Sequence, residues 1–173
     1  IGRSISGKVL DMGIELNAEW IMQADSEKPE ILFNDKSVKM DFLKKYCGTM
    51  QEMKNIKAYI MRHAHMFFDL NTWSNYLRNN RFTFSFGMRF HGNMMSYLCG
   101  IPTLWITHDS RTRELTETLK LPHIDLEDYK NVKYTEELLE KCDYTETYRN
   151  YAKLLEEYIM FLEENGLKHK FVV

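Results

Sequence analysis

The segment Arg81–Arg111 sets the architecture of the chain and reads Arg81-Phe-Thr-Phe-Ser-Phe-Gly-Met-Arg-Phe-His-Gly-Asn-Met-Met-Ser-Tyr-Leu-Cys-Gly-Ile-Pro-Thr-Leu-Trp-Ile-Thr-His-Asp-Ser-Arg111. Its first phenylalanines alternate with polar residues, which predicts a strand that ends at Gly87. A helix is predicted to begin near Arg89 and to end at Gly100, where a glycine and a following proline stop it. A second, buried strand over 101–106 then runs into a polar turn.

Two predicted strands therefore each lead, at their carboxyl ends, into a polar and basic turn. Open α/β sheets bind ligands at this edge, because parallel strands present their carboxyl ends there together. The rest of the chain shows no repeat, no low-complexity tract and no linker. Residues 1–173 are accordingly predicted to form one α/β domain with a helical C-terminal end.

The regions outside this segment contain weaker patterns. Residues 1–17 fit either a short helix or a strand, residues 49–55 a loop or a turn of helix, and residues 56–68 either a helix or a strand. Strands are predicted over 19–25 and 30–34, and helices over 35–48, 69–80 and 110–120. The longest helix is predicted to follow an Asp143–Glu146 capping box and to end at Asn165-Gly166. Its apolar stripe consists of Tyr148, Tyr151, Leu155, Tyr158 and Leu162.

Composition limits the class of protein. The net charge of −2 over 173 residues provides no field that would attract nucleic acid or an anionic membrane, so any anion site must be local. No apolar run is long enough for a membrane span. The three cysteines include no CxxC pair, which favours a reducing cytoplasm over a disulfide scaffold. Because the chain opens on Ile1, we expect it to be part of a longer protein.

The turn after the first strand predicts an anion site. Unsatisfied backbone N–H groups at a helix N-terminus favour phosphate or carboxylate, and the Arg89 guanidinium can bind either through two parallel hydrogen bonds. His91 can donate a hydrogen bond or move a proton at neutral pH, and Gly92 allows close backbone approach. A structural alternative stays open, in which Arg89 pairs with a carboxylate and His91 caps the turn.

The turn after the second strand offers a further polar group, His108-Asp109-Ser110-Arg111. Asp109 or Ser110 is a good helix N-cap, a role that would explain either residue without a ligand. Of Arg111 and Arg113, which point in different directions on a helix, Arg111 is expected to face the site.

Other motifs point to function less strongly. His63 and His65 would share one face of an extended segment, but no further metal ligand stands at a characteristic spacing. The chain contains no GxGxxG, P-loop or GxSxG motif, so dinucleotide oxidoreductase, NTPase and serine hydrolase readings lack their main support.

Four motifs together resemble the C-terminal half of the polysaccharide pyruvyl transferases. They are Gly87-Met-Arg-Phe-His-Gly92, Cys99-Gly-Ile-Pro102, Thr107-His-Asp-Ser-Arg111 and Leu121-Pro122. That family has an Arg-x-His motif after a strand, a Gly-x-Pro before the next strand, and an Asp-x-Lys or Asp-x-Arg beyond it. The resemblance is firmest over 70–122. It departs at Arg111, where many members have lysine.

The resemblance implies a glycosyltransferase-B-like enzyme, of which this chain forms one Rossmann-like, three-layer α/β/α half; the N-terminal half is absent. The implied cytoplasmic reaction moves the enolpyruvyl group of phosphoenolpyruvate onto a hydroxyl of a bacterial cell-surface saccharide. It needs no cofactor, no nucleic acid and no membrane span, and this half alone is expected to be inactive. The implied catalytic residues are Arg89 and His91. The implied donor-binding residues are Arg89, Phe90, His91, Gly92, Asn93, His108, Asp109, Ser110 and Arg111.

Two other functions remain open at this stage. One is a glycosyltransferase of the same architecture that uses a nucleotide-sugar donor, although the sequence pattern indicates no Glu as a ribose ligand. The other is a non-catalytic binding module that keeps the fold.

Overall fold

The computed structural model of the chain describes residues 5–23 and 49–171. Within them the fold is mixed α/β with short parallel sheets. The chain divides into two compact units. Unit 1 comprises Ile1–Thr83 and Met94–Ile101, and unit 2 comprises Phe84–Asn93 and Pro102–Val173. The strand predicted over 30–34 and the helix predicted over 35–48 lie outside the described residues.

Unit 1 contains one short parallel sheet and three helices in its described part. The elements are α1 (Ile5–Glu15), β1 (Trp20–Ile21), α2 (Met50–His63), β2 (Ala64–His65) and α3 (Leu70–Asn79). Strand β1 runs parallel to β2, with Trp20 opposite Ala64 and Ile21 opposite His65. Of the ambiguous residues 1–17, residues 5–15 are therefore helical and 16–17 form a turn, and 56–68 changes from helix to strand at Ala64.

Side-chain caps explain where two helices of unit 1 begin. Thr49 and Glu52 form a reciprocal capping box at the start of α2, so the helix includes residues predicted as a loop or a single turn. Asp69 caps α3 and accepts a hydrogen bond from the Thr72 N–H at 2.8 Å. The helix predicted over 69–80 is thus confirmed.

Unit 2 is built around a three-stranded sheet in the order β3-β4-β5, with both pairs parallel. Its elements are β3 (Ser85–Gly87), the first turn of α4 (Phe90–Leu98), β4 (Thr103–Thr107), α5 (Ser110–Leu119), β5 (His123–Asp125), α6 (Leu126–Tyr129), α7 (Thr135–Leu139) and α8 (Thr145–Glu164). Residues 94–98 of α4 belong to unit 1. Strands and helices alternate from β3 to β5, as the sequence pattern predicts.

Strand β4 forms the centre of unit 2. All five of its residues are buried, and Leu104, Trp105 and Ile106 expose at most 1% of their surface. A continuous apolar run covered on both faces is typical of a central parallel strand. Around it, Tyr129 and Leu138 are equally buried. The buried strand predicted over 101–106 is confirmed, with bounds shifted by one or two residues.

The first strand of the sheet is shorter than predicted. Strand β3 begins at Ser85 rather than near Phe82, whereas its end at Gly87 is as predicted. The alternating phenylalanines are therefore a poor guide to where the strand begins. Phe84 and Phe86 stack on each other with ring centroids 5.7 Å apart, so their same-side spacing creates an aromatic pair.

The apolar stripe predicted for helix α8 is buried only in part: Leu162 is buried and Leu155 is half-buried, whereas the tyrosines are not buried. Tyr148, Tyr151 and Tyr158 are all more than half exposed, whereas Thr147, Ile159 and Leu162 are buried. Polar bonds hold the helix in place: the Thr147 hydroxyl donates to the Lys120 carbonyl at 2.5 Å, and the Asn150 amide donates to the Thr118 carbonyl at 2.9 Å. The predicted burial is wrong for the three tyrosines, because tyrosine is often found partly exposed to solvent.

The two ends of α8 were predicted with unequal success. The Asp143 carboxylate accepts from Thr145, both from its N–H and from its hydroxyl, so the capping box with Glu146 does not form. The predicted C-terminal stop is confirmed, because Gly166 follows the helix with a φ of 66°.

Candidate anion-binding site

The two polar turns lie at one edge of the unit 2 sheet. Strands β3 and β4 run parallel, with Gly87 opposite Trp105, so their carboxyl ends point the same way. Helix α4 begins at Phe90, directly after Arg89, and α5 begins at Ser110, directly after Asp109. The predicted common edge is therefore present, and the N-termini of both helices contribute backbone N–H groups to it.

Arg89 and His91 are exposed on either side of the first residue of α4. Arg89 forms no ion pair within the described part of the chain, and its carbonyl accepts the N–H of Asn93 at 3.2 Å. The His91 ring meets the Phe90 ring edge-on, with centroids 5.8 Å apart. The guanidinium is therefore accessible to a ligand at the helix N-terminus, and the alternative in which it pairs with an internal carboxylate gains no support from the described residues.

Phe90 fixes this turn to the buried strand. The Trp105 indole N–H donates to the Phe90 carbonyl at 3.3 Å, and the two rings lie 6.1 Å apart. Because Trp105 is almost fully buried, the backbone between Arg89 and His91 is held by a rigid anchor. A positioned backbone is what an anion site at a helix N-terminus requires.

Asn93 is buried, and its side-chain amide fixes the position of the same turn. Only 4% of its surface is exposed, and its amide donates to the Gly87 carbonyl at 2.7 Å and to the Leu104 carbonyl at 3.5 Å. These bonds tie the first turn of α4 to the last residue of β3 and to Leu104 within β4. The role of Asn93 and of the half-buried Gly92 in donor binding stays a prediction, whereas a positioning role for Asn93 follows from these contacts.

Asn93→Ala should lower the free energy of unfolding by about 1–3 kcal/mol, because it leaves buried carbonyl groups without a donor. The value can be measured by urea titration followed by circular dichroism. Asn131→Ala is the matched control on the surface of the same unit and should change stability by less than about 0.5 kcal/mol. Equal effects of the two substitutions would show that the Asn93 amide does not hold the turn.

Asp109 acts as the N-cap of α5. Its Oδ1 accepts from the Thr112 N–H at 2.7 Å and from the Thr112 hydroxyl at 2.5 Å, while Nε2 of His108 lies 3.3 Å from Oδ2. Both carboxylate oxygens thus have partners inside the turn. The capping role that the sequence left open is confirmed, and Ser110 is the exposed first residue of the helix.

The two arginines of α5 have separate partners, as their spacing predicts. Arg113 pairs with Asp125, with Nη2 and Oδ1 3.0 Å apart, and Asp125 also accepts from the Thr107 hydroxyl at 2.5 Å. Arg111 is exposed and contributes to the field that acts on Asp109. Arg111 therefore remains the more available cation at this edge.

Asp125 and Thr107 are site neighbours that the sequence did not single out. Asp125 ends β5, which lies beside β4 at the same edge. A signal was present, since a third strand ending in a polar residue follows the same pattern as the first two. Arg113 balances the Asp125 charge, which reduces the repulsion that a bound anion would meet.

The Asp109 cap makes a pH prediction. Hydrogen bonds from the Thr112 hydroxyl and backbone N–H lower the pKa of Asp109 below its ordinary value of 3.8. The unfolded chain therefore binds this proton first, so the cap's stabilisation is present above the ordinary pKa and is lost as the pH falls through the folded pKa. Asp109→Asn keeps a good cap but does not titrate.

Unfolding in urea at about pH 6 and about pH 3 tests this prediction. The stability difference between the two pH values should be smaller for Asp109→Asn than for the unchanged chain. The substitution Asp128→Asn, at an exposed aspartate of α6 in the same unit, should leave the difference unaltered. Identical pH dependence in all three proteins would contradict the assignment.

Comparison of the chain with protein-family models, with curated proteins and with solved structures gives no match. In the described residues, no helix combines the length and apolar character needed to cross a membrane.

Proposed function

We propose that this chain is the donor-binding half of a polysaccharide pyruvyl transferase-like enzyme, which moves the enolpyruvyl group of phosphoenolpyruvate onto a saccharide hydroxyl. The observation that carries the proposal is the arrangement at the edge of the unit 2 sheet. There, the adjacent parallel strands β3 and β4 each lead into a helix N-terminus. An accessible arginine lies at each of them, Arg89 after β3 and Arg111 after β4. Such an edge suits a ligand with more than one anionic group.

Phosphoenolpyruvate carries a phosphate and a carboxylate. Arg89 can hold either of them through two parallel hydrogen bonds, supported by the N–H groups of the first turn of α4. The N-terminus of α5 and Arg111 supply the second set of donors. The Asp109 carboxylate accepts from Thr112 and lies 3.3 Å from Nε2 of His108, so Asp109 is expected to act by placing these groups instead of by touching the donor.

In the proposed reaction, C3 of the donor gains a proton, a saccharide oxygen attacks C2 and loses its proton, and the C2–O bond to phosphate breaks. A second saccharide hydroxyl then adds at C2 and loses its proton, which completes a pyruvate ketal and leaves phosphate as the other product. Negative charge then gathers on the leaving phosphate, where Arg89 and the helix N-terminus stabilise it. His91 is exposed beside Arg89 and either donates a proton or orients the phosphate. The acceptor groups belong, in this proposal, to a second half of the enzyme.

The finer architecture belongs to the same proposal. The parallel β3-β4-β5 sheet with its intervening helices supports a Rossmann-like, three-layer domain of a glycosyltransferase-B-like enzyme. A cytoplasmic location is part of the same proposal. The resemblance of Gly87-Met-Arg-Phe-His-Gly92 to the family motif is the main reason to choose pyruvyl transfer over glycosyl transfer.

Thermal unfolding of the chain with added ligand tests the proposal, because a ligand that binds only the folded state raises the melting temperature. Phosphoenolpyruvate should raise it, and inorganic phosphate should raise it less at the same concentration, since it lacks the carboxylate. Uridine diphosphate is the control for a nucleotide-sugar donor. Stabilisation by uridine diphosphate with none by phosphoenolpyruvate would overturn the proposal and favour glycosyl transfer.

A further inference from the structure

A group of titratable side chains in unit 1 lies outside the site described above. Glu19 directly precedes β1, His63 directly precedes β2, and His65 is the second residue of β2. The parallel register with Trp20 opposite Ala64 brings Glu19 beside His63. His63 ends helix α2 and His65 lies on β2, and both rings reach the same carboxylate.

Both imidazoles hydrogen-bond the Glu19 carboxylate. Nδ1 of His63 lies 3.1 Å from Oε1, and Nε2 of His65 lies 2.5 Å from Oε2. The Tyr76 hydroxyl lies 2.9 Å from Nε2 of His65 and also hydrogen-bonds Glu19. The carboxylate thus accepts hydrogen bonds from three side chains, which fixes the position of each of them.

The two histidines differ in accessibility. The His63 side chain is only 10% exposed and stacks on the Tyr59 ring at 4.9 Å, whereas the His65 side chain is 31% exposed. The hydroxyl of Tyr59 donates to the Ala18 carbonyl at 2.5 Å, which holds the backbone just before Glu19. His63 and Tyr59 therefore form the buried support of the cluster, and His65 is the histidine that a ligand can reach.

The contacts determine which nitrogen of His65 carries its proton. Nε2 faces a carboxylate oxygen at 2.5 Å, so Nε2–H is the form that avoids repulsion between two lone pairs. The neutral ring then has its lone pair on Nδ1, for which the described residues provide no hydrogen-bond donor. A histidine oriented by a carboxylate at one nitrogen is arranged to accept a proton at the other.

Charge in the cluster restricts the ligand. Burial raises the pKa of Glu19, but hydrogen bonds from His63 and His65 outweigh it and hold the pKa below its ordinary value. Burial and the nearby Glu19 charge raise the pKa of Tyr76 to about 12, so its hydroxyl stays protonated. When both imidazoles are neutral, as the acceptor role of His65 requires, the Glu19 carboxylate alone sets the charge of this cluster. An anionic ligand would therefore meet an uncompensated carboxylate.

We propose that Glu19 and His65 form an acid–base dyad that takes a proton from the O–H or N–H group of a small uncharged or cationic ligand. The ligand's O–H or N–H bond breaks, its electron pair stays on the ligand atom, and a new N–H bond forms at Nδ1 of His65. The imidazolium that results keeps its Nε2–H bond to Glu19, whose negative charge stabilises it.

Metal binding and a purely structural lock are the competing explanations. The described residues include no group of three His, Cys, Asp or Glu side chains placed to hold a metal ion. A structural lock would need the same hydrogen bonds but would give Nδ1 of His65 no special reactivity. The reactivity of Nδ1 of His65 therefore distinguishes the dyad from a purely structural role.

Nitrogen-15 spectra of the histidine rings in the intact chain should show neutral His65 with its proton on Nε2. This measurement needs no substitution, so it stays informative if a variant fails to fold. Ethanolamine, which carries both O–H and N–H groups, should shift the His65 ring signals, whereas inorganic phosphate should not. A proton on Nδ1, or a response to phosphate alone, would overturn the proposal.

Carbethoxylation by diethylpyrocarbonate, followed by mass spectrometry of the peptides, tests the reactivity. His169 is the matched internal control: its Nε2 lies 3.4 Å from Glu163, but its Nδ1 is buried without a partner among the described residues. His65 should react faster than His169, and Glu19→Gln should slow His65 by about tenfold, as loss of an orienting carboxylate does at other histidines.

The His65 rate in Glu19→Gln protein is compared only after circular dichroism shows that this variant has the fold of the unchanged chain. His63→Gln is the second variant, because it removes one hydrogen-bond partner of Glu19 while both residues of the dyad remain. It should leave the His65 rate within about twofold, well below the effect expected for Glu19. An unchanged His65 rate in folded Glu19→Gln protein, or equal slowing in both variants, would reduce the cluster to a structural lock.

Discussion

Arg89→Ala is expected to weaken phosphoenolpyruvate binding by about 10–100-fold. A hydrogen bond to a charged group contributes about 1.5–3 kcal/mol, and every 1.4 kcal/mol changes affinity about tenfold. Arg89 is exposed at the start of α4 and has no ion-pair partner among the described residues, so its removal should not disturb the fold. Isothermal titration calorimetry of the chain with phosphoenolpyruvate measures the effect.

Two matched variants separate geometry from charge. Arg89→Lys keeps the charge but loses the paired donors, and it should bind more tightly than Arg89→Ala and more weakly than the unchanged chain. Arg149→Ala removes an equally exposed arginine of unit 2 that pairs with Glu146 on α8, and its affinity should be unaltered. Equal affinities for the Arg89→Ala and Arg149→Ala proteins would place the donor elsewhere.

Trp105→Ala is expected to lower the free energy of unfolding of unit 2 by about 3–5 kcal/mol. The side chain is 1% exposed at the centre of the sheet, so its removal leaves a large cavity and frees the Phe90 carbonyl. Phosphoenolpyruvate affinity should fall as well, because Trp105 holds the turn that carries Arg89. Urea titration monitored by circular dichroism gives the first quantity, and calorimetry gives the second.

Trp105→Phe refines this expectation. It keeps most of the apolar volume but loses the indole N–H, so it should be less destabilising than Trp105→Ala while still loosening the Arg89 turn. Tyr148→Ala is the surface control, since this side chain is 67% exposed, and it should change stability by less than about 0.5 kcal/mol. A similar loss for Trp105→Ala and Tyr148→Ala would contradict the central position of β4.

The sequence predicted the parts of the fold that depend on local chemistry. Gly100 adopts a φ of 81° after α4, Asp109 caps α5, and the apolar run before His108 is the buried central strand. In each case one residue type is suited to one conformation, so the pattern is readable without knowledge of the tertiary structure.

Features that depend on tertiary contacts were harder to predict. The buried face of α8 rests on Thr147, whose hydroxyl finds a backbone carbonyl, and a hydrophobic pattern gives no sign of such a contact. Strand β3 begins at Ser85, whose N–H bonds the Pro102 carbonyl. Partners across the sheet, rather than the alternation at Phe82 and Phe84, therefore fix its bounds.

The sequence predicted that the two polar turns share one edge of the sheet, but it did not predict which of their residues face solvent and which support the backbone. The exposed Arg89 and His91 stand where the sequence places them, whereas Asn93 proves to be a buried support. Amide side chains occur both in ligand contacts and in backbone bonds, and residue type alone does not distinguish the two. Of the Glu19 cluster, the sequence indicated only His63 and His65. Glu19 lies far from them in sequence, and the pairing of β1 with β2 brings it beside them.

The distribution of the three tryptophans gives each unit its own optical reporter. Trp20 and Trp73 belong to unit 1 and are partly exposed, whereas Trp105 belongs to unit 2 and is enclosed. Fluorescence from Trp105 should therefore start at a blue wavelength and shift to the red when unit 2 opens. In the Trp105→Phe protein, the remaining emission reports on unit 1 alone, so a single denaturant titration of each protein can establish whether the two units unfold together or in sequence.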